Sequence, residues 1–214
     1  MKFYSVGFFA ALLVWITLWP QSNKSQSSPQ PDNQELQQLF ADDQHDRGAD
    51  PFSDKEKPAK GWKDLPWDEI NKHDLARQAR VHEMLNSGTV RTGNDYIWAS
   101  LIFQHGRTSN DYLLAHVLAM AAVSKGEKGG RWIAAATLDR YLHSMKQAQV
   151  FGTQFVPIQK AKGLNQGEYN HDLLSDSVRA AMCVTPYTKQ ADQAKQAEKN
   201  PDEADFNTGL LPCP

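Results

Sequence analysis

A chain of 214 residues that is 40% hydrophobic, with a formal net charge of −2, holds material for one modest domain and its tails. Its charges are spread rather than clustered, which excludes a nucleic-acid binder, since that function needs a concentrated basic face. Long like-charge blocks are also missing, which excludes an acidic or basic interaction tail.

In chain order, "MKFYSVGFFAALLVWITLWP" begins with one lysine and an apolar run from Phe3 to Trp19. This is the pattern of an export signal or a short anchor, at the lower limit of the roughly 17–25 residues a span needs. "WPQSNKS" offers no small-x-small cleavage pattern, and Trp15 and Trp19 suit an interfacial belt. Residues 1–20 therefore read as a signal peptide or, by a narrow margin, a retained membrane anchor. The rest is expected to be exported, either periplasmic and held to the inner membrane or secreted. Residues 21–60 are rich in Gln, Ser, Asp, Asn, Pro and Lys and read as a disordered linker, because they bury too little apolar surface to offset chain entropy. Within them "ELQQLFADD" offers a transient helical turn or a docking segment.

The folded part is expected over residues 61–187. "WDEINKHDLARQARVHEMLNSG" places Ile70, Leu75, Ala79, Val81, Met84 and Leu85 at helical spacing and stops at Gly88. "TGNDYIWASLIFQHG" and "TSNDYLLAHVLAMAAVSKG" share Asn-Asp-Tyr, with Asn or Asp capping an acidic first turn. They end at Gly106 and Gly126. Residues 112–123 are apolar on nearly every side and predict a central helix, followed by the alanine-rich "GGRWIAAATLDRYLHSM". No strand alternation runs far enough for a real sheet. The fold class is all-α: a small bundle of short helices with an alanine-rich antiparallel helical hairpin, flanked by disordered tails. Its packing is similar to tetratricopeptide arrays without their period of about 34 residues. Residues 188–214 read as a polar C-terminal tail, ending in "LLPCP".

Two cysteines, Cys183 and Cys213, would pair as a disulfide in an oxidising compartment; two unrelated thiols is the equally weighted alternative. His116 interrupts the most apolar helix, and Asp139 and Arg140 interrupt the next. If Gly126–Gly130 turn about Lys128, His116 stands level with Asp139 at about 1.5 Å of rise per residue. A buried imidazole needs a partner, so the pair reads first as a structural one that fixes the hairpin register, with a catalytic dyad as the alternative. "QVFGTQF" follows where that helix ends. The Gln149 and Gln154 amides donate and accept, and Gly152 permits positive φ. The bend is either a cap on the bundle or one wall of a pocket faced by His105 and His116.

Standard chemistry is not legible. His82-Glu83 is followed by Asn86 where a zinc protease needs its second histidine, and "GEKGG" has no strand before it to make a phosphate loop. No G-x-S-x-G elbow occurs. No metal and no cofactor are expected.

Taken in order, "DYIWASLIFQHG", "DYLLAHVLAMAAVSKG", "RWIAAATLDRYL" and "QVFGTQF" resemble an uncharacterised bacterial family of small helical proteins, a domain of unknown function. Its boxes read IFQHG, LAHxLA, ATxDRxL and QxFGTQ, and the likeness covers residues 75–155. The resemblance implies the architecture and supplies no reaction. It sets Gln104, His105, His116, Asp139, Arg140, Gln149, Gly152, Thr153 and Gln154 at the family's motif positions. The expectation is an exported or anchored helical binding or scaffold domain for a protein or peptide partner, with a small polar ligand left open. The alternative is a hydrolase-like acid–base enzyme using His116 and Asp139, with Gln104, His105, Arg140, Gln149, Thr153 and Gln154 as binding residues.

Overall fold

The computed structural model describes residues 30–49, 64–157 and 164–199. Among them the fold is all-α: α1 (Gln34–Asp46), α2 (Trp67–Asn86), α3 (Gly93–Gln104), α4 (Ser109–Ser124), α5 (Gly130–Ser144), α6 (Asp176–Ala181) and α7 (Tyr187–Lys199). One antiparallel pair of two-residue strands, β1 (Val156–Pro157) and β2 (Leu164–Asn165), is the extent of sheet in the described residues. The apolar run of residues 1–20 lies outside them; no described helix is long and apolar enough to cross a membrane.

The linker expected over residues 21–60 is corrected by α1. Leu36 and Phe40 are buried in the same core cluster as Val81, Met84, Trp98 and Phe103, with the Phe40 and Trp98 rings stacked at 6.4 Å. Asn33 caps the helix by accepting from the Leu36 amide, and its own amide donates to Asp95 Oδ1 at 2.8 Å. The composition argument fails here because it averages over a window. Two apolar residues one turn apart, each worth about 1.5–3 kcal/mol when fully buried, dock a helix whose remaining surface is polar.

α3 and α4 begin alike, but the caps sit upstream of the Asn-Asp-Tyr repeat. Thr92 and Thr108 each accept from the amide three residues on, and Asp95 and Asp111 return the bond to complete capping boxes. α4 packs between α3 and α5. The α4–α5 pair is antiparallel: Ser144 Oγ donates to Ser109 Oγ, His116 reaches Ala134 O, and Gly130 lies against Ala119 O, where an added Cβ would come within 2.9 Å. α4 is not enclosed all round, as its sequence predicts. Leu113, Val117 and Met120 form an outward stripe 38–54% exposed.

α5 ends in an unusual way. Lys146 takes φ 58° while the Gln147 amide donates to Leu142 O, the bond that closes a helix with a left-handed residue. Lysine is strained there where glycine is not. Lys146→Gly should raise stability by about 1 kcal/mol, read as a higher Tm; an unchanged or lower Tm contradicts the strain.

Residues 188–199, expected as polar tail, are corrected in turn. They belong to α7, whose Gln190 is buried and donates to Phe151 O and Thr185 O at 2.8 Å. Arg179 of α6, 1% exposed, donates to Leu174 O, to His171 O and to the Tyr169 hydroxyl. Cys183 is disulfide-bonded, while Cys213 lies outside the described residues.

Candidate functional site

The expected His116–Asp139 dyad does not form. His116 Nδ1 is 2.9 Å from Ala134 O, so the hairpin is centred near residue 125, halfway between those two, and not on Lys128. Asp139 falls more than one turn further along α5. The cause is the close fit of Gly130 against Ala119 and Ala122, which starts α5 earlier than a loose turn would.

Asp139 is fully buried and turned to the bend after its helix. Oδ1 accepts from the Val150 and Phe151 amides at 2.8 and 3.0 Å, and Oδ2 from the Thr153 amide and hydroxyl at 2.9 and 2.8 Å. Burial pushes its carboxyl above the usual range, against these four bonds, which pull it down. Gln149, also fully buried, donates to Gln154 O and Gln166 O and accepts from the Gln154 amide. Gln154 in turn donates to Ala136 O. Gly152, φ +76°, lies where a Cβ would sit 2.5 Å from the Tyr169 ring. The "QVFGTQF" bend is thus a knot tied around one carboxylate, with both glutamines spent on backbone. It is a cap, and the ring nitrogens of His105 and His116 bond elsewhere, to Asp43 and to Ala134 O.

A different group of polar residues gathers where α1, α2, α3 and α5 meet. Asp43 of α1 is 0% exposed and lies 3.0 Å from Nδ1 of His105, the residue that caps α3. Arg47 donates to Asp43 and to Asp74 at 3.0 and 2.7 Å. Arg77 donates to Asp74 and Asp46 at 2.8 Å each, and His73 Nδ1 meets Asp46 at 2.9 Å. Arg140 donates only to Gln104 O, at 3.2 Å. Beside them opens a cleft of about 410 Å³ lined by Arg47, Trp67, Asn71, Asp74, His105 and Arg140, with Leu65 and Gly106 completing the wall.

The electrostatics follow from this crowding. Burial pushes the Asp43 carboxyl up, but the His105 hydrogen bond and the charges of His105, Arg47 and Arg77 hold it below the usual carboxylate range. Burial lowers the His105 imidazole, Asp43 opposes this, and Arg47 and Arg140 add to the lowering. Burial and Arg47 likewise depress Arg140 against the pull of Tyr112. Both His105 and Asp43 thus release protons more readily folded than unfolded, so each contributes stability above its unfolded pKa and loses it as pH falls through the folded value. Thermal stability should decline from about pH 6.5 downward through His105, and further below about pH 4 through Asp43. His105→Asn keeps a donor near Nδ1 and should flatten the upper part of that decline in melting scans. A wild-type slope in the variant contradicts the assignment.

Of the residues singled out in the sequence, His105 and Arg140 line the cleft, and Gln104 supports it through its carbonyl. Gln149, Thr153 and Gln154 serve the knot, and His116 bonds α5. Asp43, Arg47, Trp67, Asn71 and Asp74 were not readable as a site. The spacing of Leu36, Phe40 and Asp43 on one helical face was the available signal, inside a segment whose composition argued for disorder. Among the described residues no group of three or more His, Cys, Asp or Glu is placed to hold a metal. Comparison with protein families, with curated proteins and with solved structures finds no match.

Proposed function

We propose that the chain is an exported, membrane-anchored helical binding domain, of the uncharacterised bacterial family it resembles, which presents the cleft between α1, α2, α3 and α5 to a protein or peptide partner. The observation that carries this reading is the destination of the hairpin's polar groups. Asp139, Gln149, Thr153 and Gln154 bond to one another or to backbone, and His116 bonds a carbonyl. The amide-rich bend is consumed in holding the fold, whereas the cleft is a concave polar surface that can meet another molecule.

One observation favours an acid–base enzyme as the second reading, at a different place from His116 and Asp139. Asp43 fixes His105 through Nδ1, and Nε2 makes no hydrogen bond on a residue that lines the cleft. A carboxylate orienting an imidazole is the arrangement general acid–base chemistry uses. The experiment places a photo-crosslinking residue at Asn71 in the cleft or at exposed Glu69 on the same helix, in native membranes. In parallel, the purified chain is assayed on ester, amide and phosphodiester substrates. A discrete adduct from Asn71 alone, without turnover, is expected. Turnover that His105→Asn abolishes at unchanged Tm would put the enzyme first.

A further inference from the structure

Arg47, Asp74 and Arg140 line the cleft, with Arg77, Asp43 and Asp46 in the network behind it, and all three carboxylates are taken by Arg47 and Arg77. Asp43 and Asp74 hold Arg47, while Asp74 and Asp46 hold Arg77. Even the unbonded Nε of Arg77 lies 3.8 Å from Asp43. Among the described residues no carboxylate pairs with Arg140. Its guanidinium carries five N–H donors and makes a single hydrogen bond, through Nη1 to Gln104 O. Its Nε is buried without a partner, and Nη2 makes no hydrogen bond. The Tyr112 ring, 6.0 Å from Cζ, offers its face but no acceptor. Arg140 as a whole is half-buried, but an enclosed N–H left without an acceptor is costly, and buried polar groups are nearly always satisfied.

We infer that Arg140 anchors a site for a ligand carboxylate in this cleft, with the ligand's apolar part against Trp67 and Leu65. Nη2, the outer nitrogen left over by the Gln104 bond and not enclosed as Nε is, is the donor that a ligand carboxylate would take as a charge-assisted hydrogen bond. One unmatched positive charge balances one carboxylate, whereas a phosphate brings nearly two negative charges at neutral pH. Asn71, whose amide makes no hydrogen bond in the fold, lines the same cleft and supplies a further donor. Trp67, 37% exposed, gives an amphipathic wall of the kind that covers small ligands. A volume of about 410 Å³ lies within the roughly 300–1,000 Å³ of small-molecule sites. This deepens the binding-domain reading and rests on it, naming what the cleft would recognise: a free organic acid or the carboxylate end of a peptide.

The test is calorimetric titration of the full chain in detergent micelles at pH 7 with four probes. These are benzoate, a short acetylated peptide ending in a free phenylalanine carboxylate, the same peptide as its amide, and inorganic phosphate. The acid peptide should bind at least tenfold more tightly than its amide and than phosphate. Arg140→Gln should weaken the acids at least tenfold while leaving the fold intact, and Trp67→Ala, at the rim, should weaken them too. Benzoate matching the acid peptide assigns the site to a free acid; a much tighter peptide assigns it to a chain end. Equal binding of acid and amide, tighter phosphate, no binding by any probe, or indifference to Arg140→Gln each overturns the inference. If the probes fail while Asn71 still yields its discrete adduct, the carboxylate site falls and the binding domain stands. If a bound acid derivative is turned over in a His105-dependent way, the site stands and the binding-domain reading falls.

Discussion

Asp139→Ala should cost about 3–5 kcal/mol of stability, because three amides and a hydroxyl lose their acceptor together and each buried donor left unpaired costs about 1–3 kcal/mol. Relief from burying a charge offsets part of this. Asp139→Asn is the sharper variant: whichever way its amide turns, an NH2 group points at two donors. We expect about 2–4 kcal/mol and a loss of hydrogen-exchange protection confined first to residues 149–154. A variant that keeps full stability and protection would show that the knot does not depend on the carboxylate. Gln149→Ala should loosen the same bend, since it removes bonds to Gln154 and Gln166.

The second large effect is expected at Phe40. Phe40→Ala empties a site between Trp98 and its core neighbours and should cost about 3–5 kcal/mol, a Tm drop of roughly 10 °C for a body of this size. The loss reaches beyond packing, because α1 also carries Asp43. If the helix lifts away, Arg77 and His105 lose a buried carboxylate and the cleft loses one of its sides. Hydrogen exchange should therefore rise along α1 and at His105 in the same variant. A drop in Tm with α1 still protected would mean that the helix is held by its polar contacts alone.

The helices between residues 67 and 144 were legible because their apolar spacing, alanine content and glycine stops all agree. Thr92 and Thr108 could have been read as caps from Thr-x-x-Asp, but the repeated Asn-Asp-Tyr drew attention one turn downstream. α1 and α7 were hidden for a shared reason: each is mostly polar and docks through a few positions, Leu36 and Phe40 in one and Gln190 in the other. The expected pairing of His116 with Asp139 does not form, because their helices meet in a different register. Register in a helical hairpin depends on how closely two backbones approach, and Gly130 against Ala119 set it more than a turn away from the symmetric guess. His105 and Arg140 were legible as motif positions. The Asp43 partner of His105 was not, since it comes from a segment distant in sequence.

Arg140 costs the fold stability. A guanidinium wedged beside Gln104 with a single hydrogen bond and an enclosed, unpartnered Nε stabilises the fold little for the charge it partly buries, and methionine there would fill similar space with no charge to desolvate. Libraries selected for heat tolerance alone should therefore drift to apolar side chains at position 140, sacrificing recognition for robustness.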